Sequence, residues 1–177
     1  HGVTFADYDG DSRDDLWVVD WTTDLVTIYG DTAGEAERFT QVIAQGTLGV
    51  ANGAVLLAGD YNGDRAVEAY VIDSTGVLTI LDGSDGFQTP LVSAQTGARP
   101  IWNRFDLDDY DGNGSPDLFA VSNGGQQVYV ANGFGSGYTL GPYWPVGLPR
   151  GGRIQVGDYD GDGRPDVYHF ADSAVSI

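Results

Sequence analysis

Four stretches of the chain place oxygen-bearing side chains at the same positions of a nine-residue loop. The first, third, fifth and ninth residues are Asp, Asn or Glu in every copy, and the fourth is always Gly. A hard cation such as Ca²⁺ requires oxygen ligands at this density. The pattern therefore predicts four metal-binding loops, at residues 7–15, 60–68, 109–117 and 158–166.

We expect each loop to bind one Ca²⁺ through the side chains at positions 1, 3, 5 and 9 and the backbone carbonyl of position 7. Water would complete six or seven oxygens, an arrangement that suits Ca²⁺ better than Mg²⁺. The loops are not EF-hands, because position 12 lacks the required Glu. The predicted ligands are Asp7, Asp9, Asp11, Arg13 and Asp15; Asp60, Asn62, Asp64, Ala66 and Glu68; Asp109, Asp111, Asn113, Ser115 and Asp117; and Asp158, Asp160, Asp162, Arg164 and Asp166.

The loops differ in their expected affinity. Asn62 and Glu68 replace Asp in the second loop, and Arg65 stands where the third and fourth loops have Gly, so this loop should bind most weakly. The Gly at position 4 indicates a turn with positive φ or a close backbone approach. Four plain Asx turns with exposed carboxylates are the alternative, but four copies in phase favour metal binding.

The loops recur with a period near fifty residues, because their first residues are 53, 49 and 49 positions apart. Between them, β-branched and aromatic runs are bounded by Gly, Asn and Asp, which is typical of strands and hairpins. About four strands in fifty residues is the size of a propeller blade. We predict an all-β fold of antiparallel four-stranded blades, with fifteen strands forming three full blades and most of a fourth. One propeller segment, 1–177, would contain repeats at about 1–50, 51–99, 100–148 and 149–177.

Composition restricts the partners. The formal net charge is −18, and 14 of the 26 Asp and Glu are predicted ligands in the four loops, so four Ca²⁺ would bring the charge to −10. The remaining negative charge opposes binding to nucleic acid or anionic lipid. No apolar run reaches the roughly 18–20 residues of a membrane span. The chain has no Cys, and the metal loops could serve in place of disulfides.

The loop with its flanks, Gly157 to Asp166, reads Gly-Asp-Tyr-Asp-Gly-Asp-Gly-Arg-Pro-Asp and resembles the FG-GAP/VCBS repeat family. That family includes the integrin α-subunit propeller and fungal seven-bladed lectins that bind N-acetylglucosamine. The resemblance implies a β-propeller with Ca²⁺ on its blade loops, used for adhesion or ligand recognition. Two features depart from the family: the Phe-Gly motif survives only at Phe134-Gly135, and the blades number fewer than seven.

The incomplete set of blades leaves three interpretations open. The chain could be a piece of a larger propeller, since it opens on His1 without a leader. Two copies could associate into one ring of seven or eight blades. A closed four-bladed propeller lacking one outer strand is the third interpretation.

Aromatic residues suggest where a ligand could bind. Those that recur at loop position 2 (Tyr8, Tyr61, Tyr110 and Tyr159) are expected to pack between blades. Non-recurring aromatics are better candidates for stacking on a sugar, with polar neighbours to orient it. The predicted ligand-binding residues are Trp21, Arg99, Trp102, Asn103, Tyr143 and Trp144.

The sequence favours a binding module over an enzyme. It has two His and shows no nucleophile elbow or phosphate loop, and the metal loops account for most carboxylates. We expect a secreted or cell-surface, calcium-stabilised module that binds carbohydrate and has no catalytic residues. A protein-adhesion module of the integrin kind, or a non-catalytic part of a secreted enzyme, is the alternative. The expected partner is a glycan or a cell-surface protein, or further blades or a second copy that complete the propeller.

Overall fold

The computed structural model describes residues 2–31, 39–50, 53–97, 100, 103–122, 127–131, 144–145, 153–171 and 174–176. These residues form strands and turns, and they contain no helix that could span a membrane. Fifteen strands are described, which confirms the predicted all-β fold. In chain order they are β1 Gly2–Ala6, β2 Asp15–Asp20, β3 Leu25–Gly30, β4 Gln41–Thr47, β5 Gly53–Gly59, β6 Glu68–Asp73, β7 Val77–Leu81, β8 Pro90–Gln95, β9 Asn103–Asp108, β10 Asp117–Ser122, β11 Gln127–Ala131, β12 Trp144–Pro145, β13 Arg153–Gly157, β14 Asp166–Ala171 and β15 Ala174–Ser176.

The strands form four separate antiparallel sheets in simple meander order. The orders are β1-β2-β3-β4, β5-β6-β7-β8, β9-β10-β11-β12 and β13-β14-β15. Within each sheet, strands that follow one another in the sequence are hydrogen-bonded neighbours, as in the blades of a propeller. The last sheet has three described strands, as expected for the incomplete fourth repeat.

Contacts divide the chain into two compact units, His1–Ser93 and Ala94–Ile177. Within the first unit β1 lies beside β5, and within the second β9 lies beside β13. In each unit, then, neighbouring sheets meet along their first strands. The acidic loops join these first strands to the second strands of the same sheets.

The two sheets of the first unit enclose an apolar core. Register pairs Thr4 with Trp17 and Trp17 with Ile28, and the alternate residues of β2 are buried on that face. Trp17, Val19 and Ile28 pack against residues of the second sheet that include Val71. The Trp17 indole N–H also donates a hydrogen bond to the Ala6 carbonyl at 3.2 Å, so its polar atom is satisfied.

Phe87, which precedes β8 of the second sheet, packs against aromatic residues of the first sheet and its loop. Its ring centroid lies 5.5 Å from that of Trp17 and 6.2 Å from that of Tyr8. Beside it, a Cβ on Gly46 of β4 would lie 2.6 Å from the Gly86 carbonyl oxygen. Only Gly therefore allows the outer strand of the first sheet to approach the turn that carries Phe87.

The fourth strands of the first two sheets begin later than the sequence indicates. The pattern predicts strands from Phe39 and from Phe87, whereas β4 begins at Gln41 and β8 at Pro90. Both phenylalanines have positive φ, 57° and 68°, a conformation that an extended strand does not allow. Each therefore occupies the turn before its strand.

In the second unit, as in the first, the two sheets are in contact along their first strands, here β9 and β13. Leu118, Phe119 and Ala120 of β10 are buried. The backbone N–H of Val156 in β13 donates a hydrogen bond to Asp106 Oδ2 in β9 at 3.0 Å. This bond ties the first strands of the third and fourth sheets together. A strand predicted from 138 to 146 is described only as β12, and its remaining residues lie outside the described ranges.

Candidate metal centre

All four acidic loops adopt the same backbone turn. The Gly at position 4 has φ of 78°, 77°, 74° and 77° in Gly10, Gly63, Gly112 and Gly161. The predicted positive φ is thus confirmed in every copy. Position 6 is also left-handed, although it is Ser12 in the first loop and Arg65 in the second. These two side chains are held in a conformation that costs about 1–2 kcal/mol for a residue with a Cβ.

The carboxylate at position 1 organises the turn by accepting backbone N–H groups. Asp7 Oδ1 accepts from Gly10 at 2.8 Å, and Asp7 Oδ2 accepts from Ser12 at 2.7 Å. The same two bonds form in the other loops, to Asp60, Asp109 and Asp158. The carboxylate at position 1 therefore holds the backbone of positions 4 and 6 in every loop.

The carboxylate at position 9 closes the loop from the start of the second strand. Asp15 Oδ2 accepts the N–H of Tyr8 at 2.9 Å, and Asp117 and Asp166 accept the equivalent bonds at 2.9 and 3.0 Å. Asp15 and Asp117 are buried. Each second strand therefore begins with a carboxylate directed back across its own loop.

Three loops bring carboxylates from positions 1, 3 and 9 together. In each loop, one oxygen from every carboxylate lies within 4.8 Å of the others. The groups are Asp7, Asp9 and Asp15; Asp109, Asp111 and Asp117; and Asp158, Asp160 and Asp166. Three anionic oxygens at this spacing repel one another, and a divalent cation offsets that repulsion. The donor set fits a hard, oxygen-preferring ion.

Position 5 has a different place in the loop. Its side-chain oxygen accepts a hydrogen bond from the backbone N–H of position 7. Arg13 N–H donates to Asp11 at 3.0 Å, and Arg164 N–H donates to Asp162 at 2.9 Å. Asp64 and Asn113 accept the equivalent bonds from Ala66 and Ser115. Asp11 and Asp162 lie outside the three carboxylate groups. That position 5 and the carbonyls of position 7 bind the ion stays a prediction.

The side chain of Arg13 makes polar contacts of its own. Its guanidinium forms an ion pair with Asp11, and its Nε donates to the Asp31 carbonyl at 3.2 Å. Asp31 N–H in turn donates to Asp15 Oδ1 at 3.1 Å. The first loop is therefore connected to the chain that follows β3.

The second loop differs from the others at Glu68. This side chain is fully buried, and its Oε2 accepts the Tyr61 N–H at 2.6 Å. Its Oε1 is buried with no hydrogen-bond partner among the described residues. Burial raises the pKa of Glu68 to about 7. The hydrogen bond from Tyr61 lowers this pKa, whereas the negative charges of Asp64, Asp60 and Asp82 raise it. An orphaned buried carboxylate oxygen also fits a site completed by a cation.

The predicted sugar contacts are only partly described. Trp21 is half-buried and packs against the core of the first unit, so its ring is largely used in packing. Asn103 begins β9 and Trp144 begins β12. Arg99, Trp102 and Tyr143 lie outside the described residues.

A groove that sequence reasoning missed lies in the first unit. It has a volume of about 720 Å³ and is formed by the end of β4, the segment after it, and β6 to β8. Buried Leu48, Leu81 and Phe87 form its apolar part. Its hydroxyl, amide and carboxylate groups belong to Thr47, Asp73, Thr79, Gln88 and Ser93. These polar residues are scattered along the sequence, so no motif could have indicated the groove.

Comparison with known families gives a match over parts of the third and fourth repeats. Residues 109–169 match the model of the FG-GAP-like repeat. This match covers the third acidic loop, and it extends through the fourth loop into β14. The resemblance stated from the sequence is confirmed for this stretch. No curated protein matches the chain significantly.

Solved structures share the fold. A lectin from Agrocybe aegerita, described as specifically recognising non-reducing terminal N-acetylglucosamine, matches with a TM-score of 0.63 and 16% identity over 98% of this chain and 47% of that one. The Photorhabdus luminescens Tc holotoxin pore matches with a TM-score of 0.60 and 18% identity over 99% of this chain and 8% of that one. BBS1N, in complex with ARL6DN, matches with a TM-score of 0.53 and 14% identity over 98% of this chain and 54% of that one. The chain thus spans about half the length of the lectin and of BBS1N, and far less of the toxin.

Proposed function

The chain carries an FG-GAP-like repeat on propeller-type blades, and from that premise we propose that it is a calcium-stabilised extracellular module that binds carbohydrate. The observation that carries the calcium part is that three carboxylate oxygens lie within 4.8 Å of one another in three loops, each time just where the second strand of a sheet begins. The carbohydrate part is supported by the shared fold with the Agrocybe aegerita lectin and by the polar groove of the first unit. Catalysis has no part in the proposal.

In the proposed module, Ca²⁺ is held by the three carboxylate groups at positions 1, 3 and 9 of the first, third and fourth loops. When bound, the ion supplies positive charge that offsets the repulsion among the carboxylates. The residues themselves fix the turn, because positions 1 and 9 already accept backbone N–H groups from the loop. Extracellular modules commonly bind Ca²⁺ with Kd of about 10⁻⁴–10⁻³ M, so millimolar external calcium would fill such sites and cytosolic calcium would not.

Two neighbouring aspartates in the first loop test the calcium assignment. Asp15 belongs to a carboxylate group and is buried, whereas Asp14 is exposed and outside it. Isothermal titration with CaCl₂ should show that Asp15→Asn loses the ion of the first loop, because one anionic ligand is removed. Asp14→Asn should retain the wild-type stoichiometry. Equal stoichiometry in the two variants would contradict the assignment of Asp15.

The groove is the proposed sugar site. Thr47, Thr79 and Ser93 offer hydroxyl groups that can donate and accept, and Asp73 and Gln88 add a carboxylate and an amide. Because the Phe87 ring is buried in the core, recognition here relies on hydrogen bonds to sugar hydroxyls more than on stacking. Asp73 is already ordered by the N–H groups of Thr75 and Val77, so its carboxylate is held in place at the groove.

A glycan array, run in calcium and again in EDTA, tests the carbohydrate assignment. Wild-type protein should bind a subset of glycans in calcium. Ser93→Trp, which fills the groove, should abolish that binding. Ser74→Trp is the matched control, since Ser74 is also exposed but lies in the β6–β7 turn outside the lining. Calcium-replete protein that binds no glycan, or a Ser93→Trp variant that binds as wild type, would contradict the assignment.

A protein-binding module is the second candidate. Its support is the shared fold with BBS1N, which is described in a complex with another protein. Capture of a defined cell-surface protein by calcium-loaded chain, without any glycan on the array, would favour it.

A further inference from the structure

The turn between β7 and β8 supplies part of the groove lining. Phe87 and Gln88 of this turn are among the residues that form the groove. The turn is also bonded internally, because the Phe87 N–H donates to the Asp82 carbonyl at 2.9 Å and the Gln88 N–H donates to Asp85 Oδ1 at 2.9 Å. These bonds join its two ends and its tip into one unit. We call residues 82–89 the groove turn.

The groove turn packs against the first acidic loop through Tyr8. The Tyr8 hydroxyl donates a hydrogen bond to the Gly83 carbonyl at 3.4 Å, and the ring centroids of Tyr8 and Phe87 are 6.2 Å apart. On its other side, a Cβ on Gly83 would overlap the Val67 carbonyl oxygen, so the turn lies directly against the backbone of the second loop. A displacement of Tyr8 therefore removes one of the supports of the groove turn.

The three carboxylates of the first loop hold the backbone of Tyr8. Tyr8 lies between Asp7 and Asp9 in the sequence, and its N–H donates to Asp15 Oδ2 at 2.9 Å. One oxygen from each of these carboxylates lies within 4.8 Å of the others, so they repel one another unless a cation offsets their charge. Because two of them flank Tyr8 and the third accepts its N–H, their separation would displace Tyr8.

We propose that Tyr8 is a positioning residue that couples calcium binding in the first loop to the groove. This role rests on the proposed function, because it requires both the ion and the groove. With the carboxylate repulsion offset, Tyr8 keeps its ring on Phe87 and its hydroxyl on Gly83, and the groove turn stays in place. Opening of the turn then requires the first loop to release its ion, so calcium lowers the population of the open turn.

Hydrogen exchange of the groove turn measures this coupling with calcium alone and without a sugar. The N–H groups of Phe87 and Gln88 are bonded within the turn, so they exchange when the turn opens. With about 2 mM CaCl₂ and a Kd of about 10⁻⁴–10⁻³ M, exchange should be roughly 3–20-fold slower than in EDTA. Amide exchange of the full chain, followed by NMR, provides this ratio.

Asp9→Asn and Asp111→Asn determine which ion controls the groove turn. Each replaces the exposed carboxylate at position 3, in the first and the third loop respectively. The second loop shows that the backbone turn accepts Asn at this position, because Asn62 Oδ1 accepts the Asp64 N–H at 2.8 Å. Isothermal titration should show that each variant loses one ion.

The two variants should differ at the groove turn. Asp9→Asn should lose the slowing of exchange by calcium, whereas Asp111→Asn should keep it at the wild-type ratio. All the described residues that line the groove belong to the first unit, as the first loop does. An equal loss in both variants would show that calcium acts through global unfolding, and that result, like retention in both, would overturn the role of the first loop.

Tyr8→Leu and Tyr8→Phe test the side chain that makes the connection. Both keep the backbone N–H that Asp15 accepts, so both should bind the ion of the first loop. Tyr8→Leu removes the ring contact with Phe87 and the bond to Gly83, and calcium should no longer slow exchange of the groove turn. Tyr8→Phe keeps the ring and should retain most of the slowing. If Tyr8→Leu exchanges faster in calcium and in EDTA alike, with the ratio unchanged, the coupling is overturned.

These measurements separate a failure of the coupling from a failure of the proposed function. If isothermal titration finds no calcium on the wild-type protein, the proposed calcium sites are wrong, and the role of Tyr8 is wrong with them. If calcium binds and Asp9→Asn removes one ion, but wild-type exchange at the groove turn is the same in calcium and in EDTA, the calcium sites stand and the coupling through Tyr8 is overturned.

Discussion

At the scale of residues, the acidic loops are held in shape by carboxylates that accept hydrogen bonds from backbone N–H groups of the same loop. Position 1 fixes the turn at positions 4 and 6, and position 9 holds the N–H of position 2. The recurring Gly at position 4 predicted a special turn, with either a positive φ or a close backbone approach, and the structure has the positive φ. It did not predict that position 6 is left-handed too, because Ser12 and Arg65 give no such indication.

Arg65→Gly should stabilise the protein. Arg65 has φ of 74°, and Gly adopts this conformation without the Cβ clash that costs about 1–2 kcal/mol. Because Gly gains entropy in the unfolded chain, we expect a net gain of roughly 0.5–1 kcal/mol. Urea unfolding in EDTA measures it. Gly63→Ala is the converse control, since its φ is 77° and its Cβ would meet no atom within 4 Å; it should destabilise by about 1 kcal/mol. A loss of stability in Arg65→Gly would contradict the strain argument.

At the scale of elements, sheets are held together by a few residues that sequence patterns describe poorly. Runs of β-branched and aromatic residues bounded by Gly, Asn and Asp indicated fifteen strands, and the structure describes fifteen, because such residues favour the extended backbone and Gly and Asn favour the turns between strands. The fourth strands were the exception, since Phe39 and Phe87 look like strand residues but adopt turn conformations. Inter-sheet contacts such as that of Phe87 depend on tertiary packing and have no local pattern.

Phe87→Ala should be strongly destabilising. The ring is buried between Tyr8 and Trp17, and truncating a buried Phe typically costs about 3–5 kcal/mol. Chemical denaturation should show this loss. Leu91→Ala, at an exposed site of the following strand, should cost less than about 1 kcal/mol. Similar effects of the two substitutions would contradict the role of Phe87.

Asp106 makes the contact between β9 and β13 sensitive to pH. Burial raises the pKa of Asp106, and the charge of Asp108 raises it further, while N–H groups of Val156 and Leu107 oppose the shift. The folded protein therefore holds this proton up to a higher pH than the unfolded chain, whose Asp pKa is about 3.9. As pH rises through the interval from about 3.9 to the raised pKa, the contribution of Asp106 to stability falls.

Asp106→Asn isolates this contribution, because the amide oxygen can still accept the Val156 N–H. Relative to wild type, the variant should gain stability between pH 3 and pH 7, as followed by urea unfolding in EDTA. A difference between variant and wild type that is constant across this range would show that Asp106 titrates normally in the folded state.

At the scale of the whole molecule, repeats with a period near fifty residues and fifteen strands were predicted from sequence, and the four described sheets have the meander order of propeller blades. The sequence indicated an FG-GAP-like repeat, which the family model matches over residues 109–169, because the acidic loop is long, distinctive and present four times. The sugar site is different, since the groove is assembled from separate strands and turns. Candidate aromatics chosen for being non-recurring included Trp21, which the structure places against the core.

The most direct test of the account is thermal unfolding in about 2 mM CaCl₂ and in excess EDTA. With three occupied sites of Kd about 10⁻⁴–10⁻³ M, binding to the folded chain should raise the Tm by roughly 5–15 °C. An equal concentration of MgCl₂ should raise it less, because Mg²⁺ retains its waters. The same Tm in calcium and in EDTA would contradict the claim that a divalent cation stabilises the acidic loops.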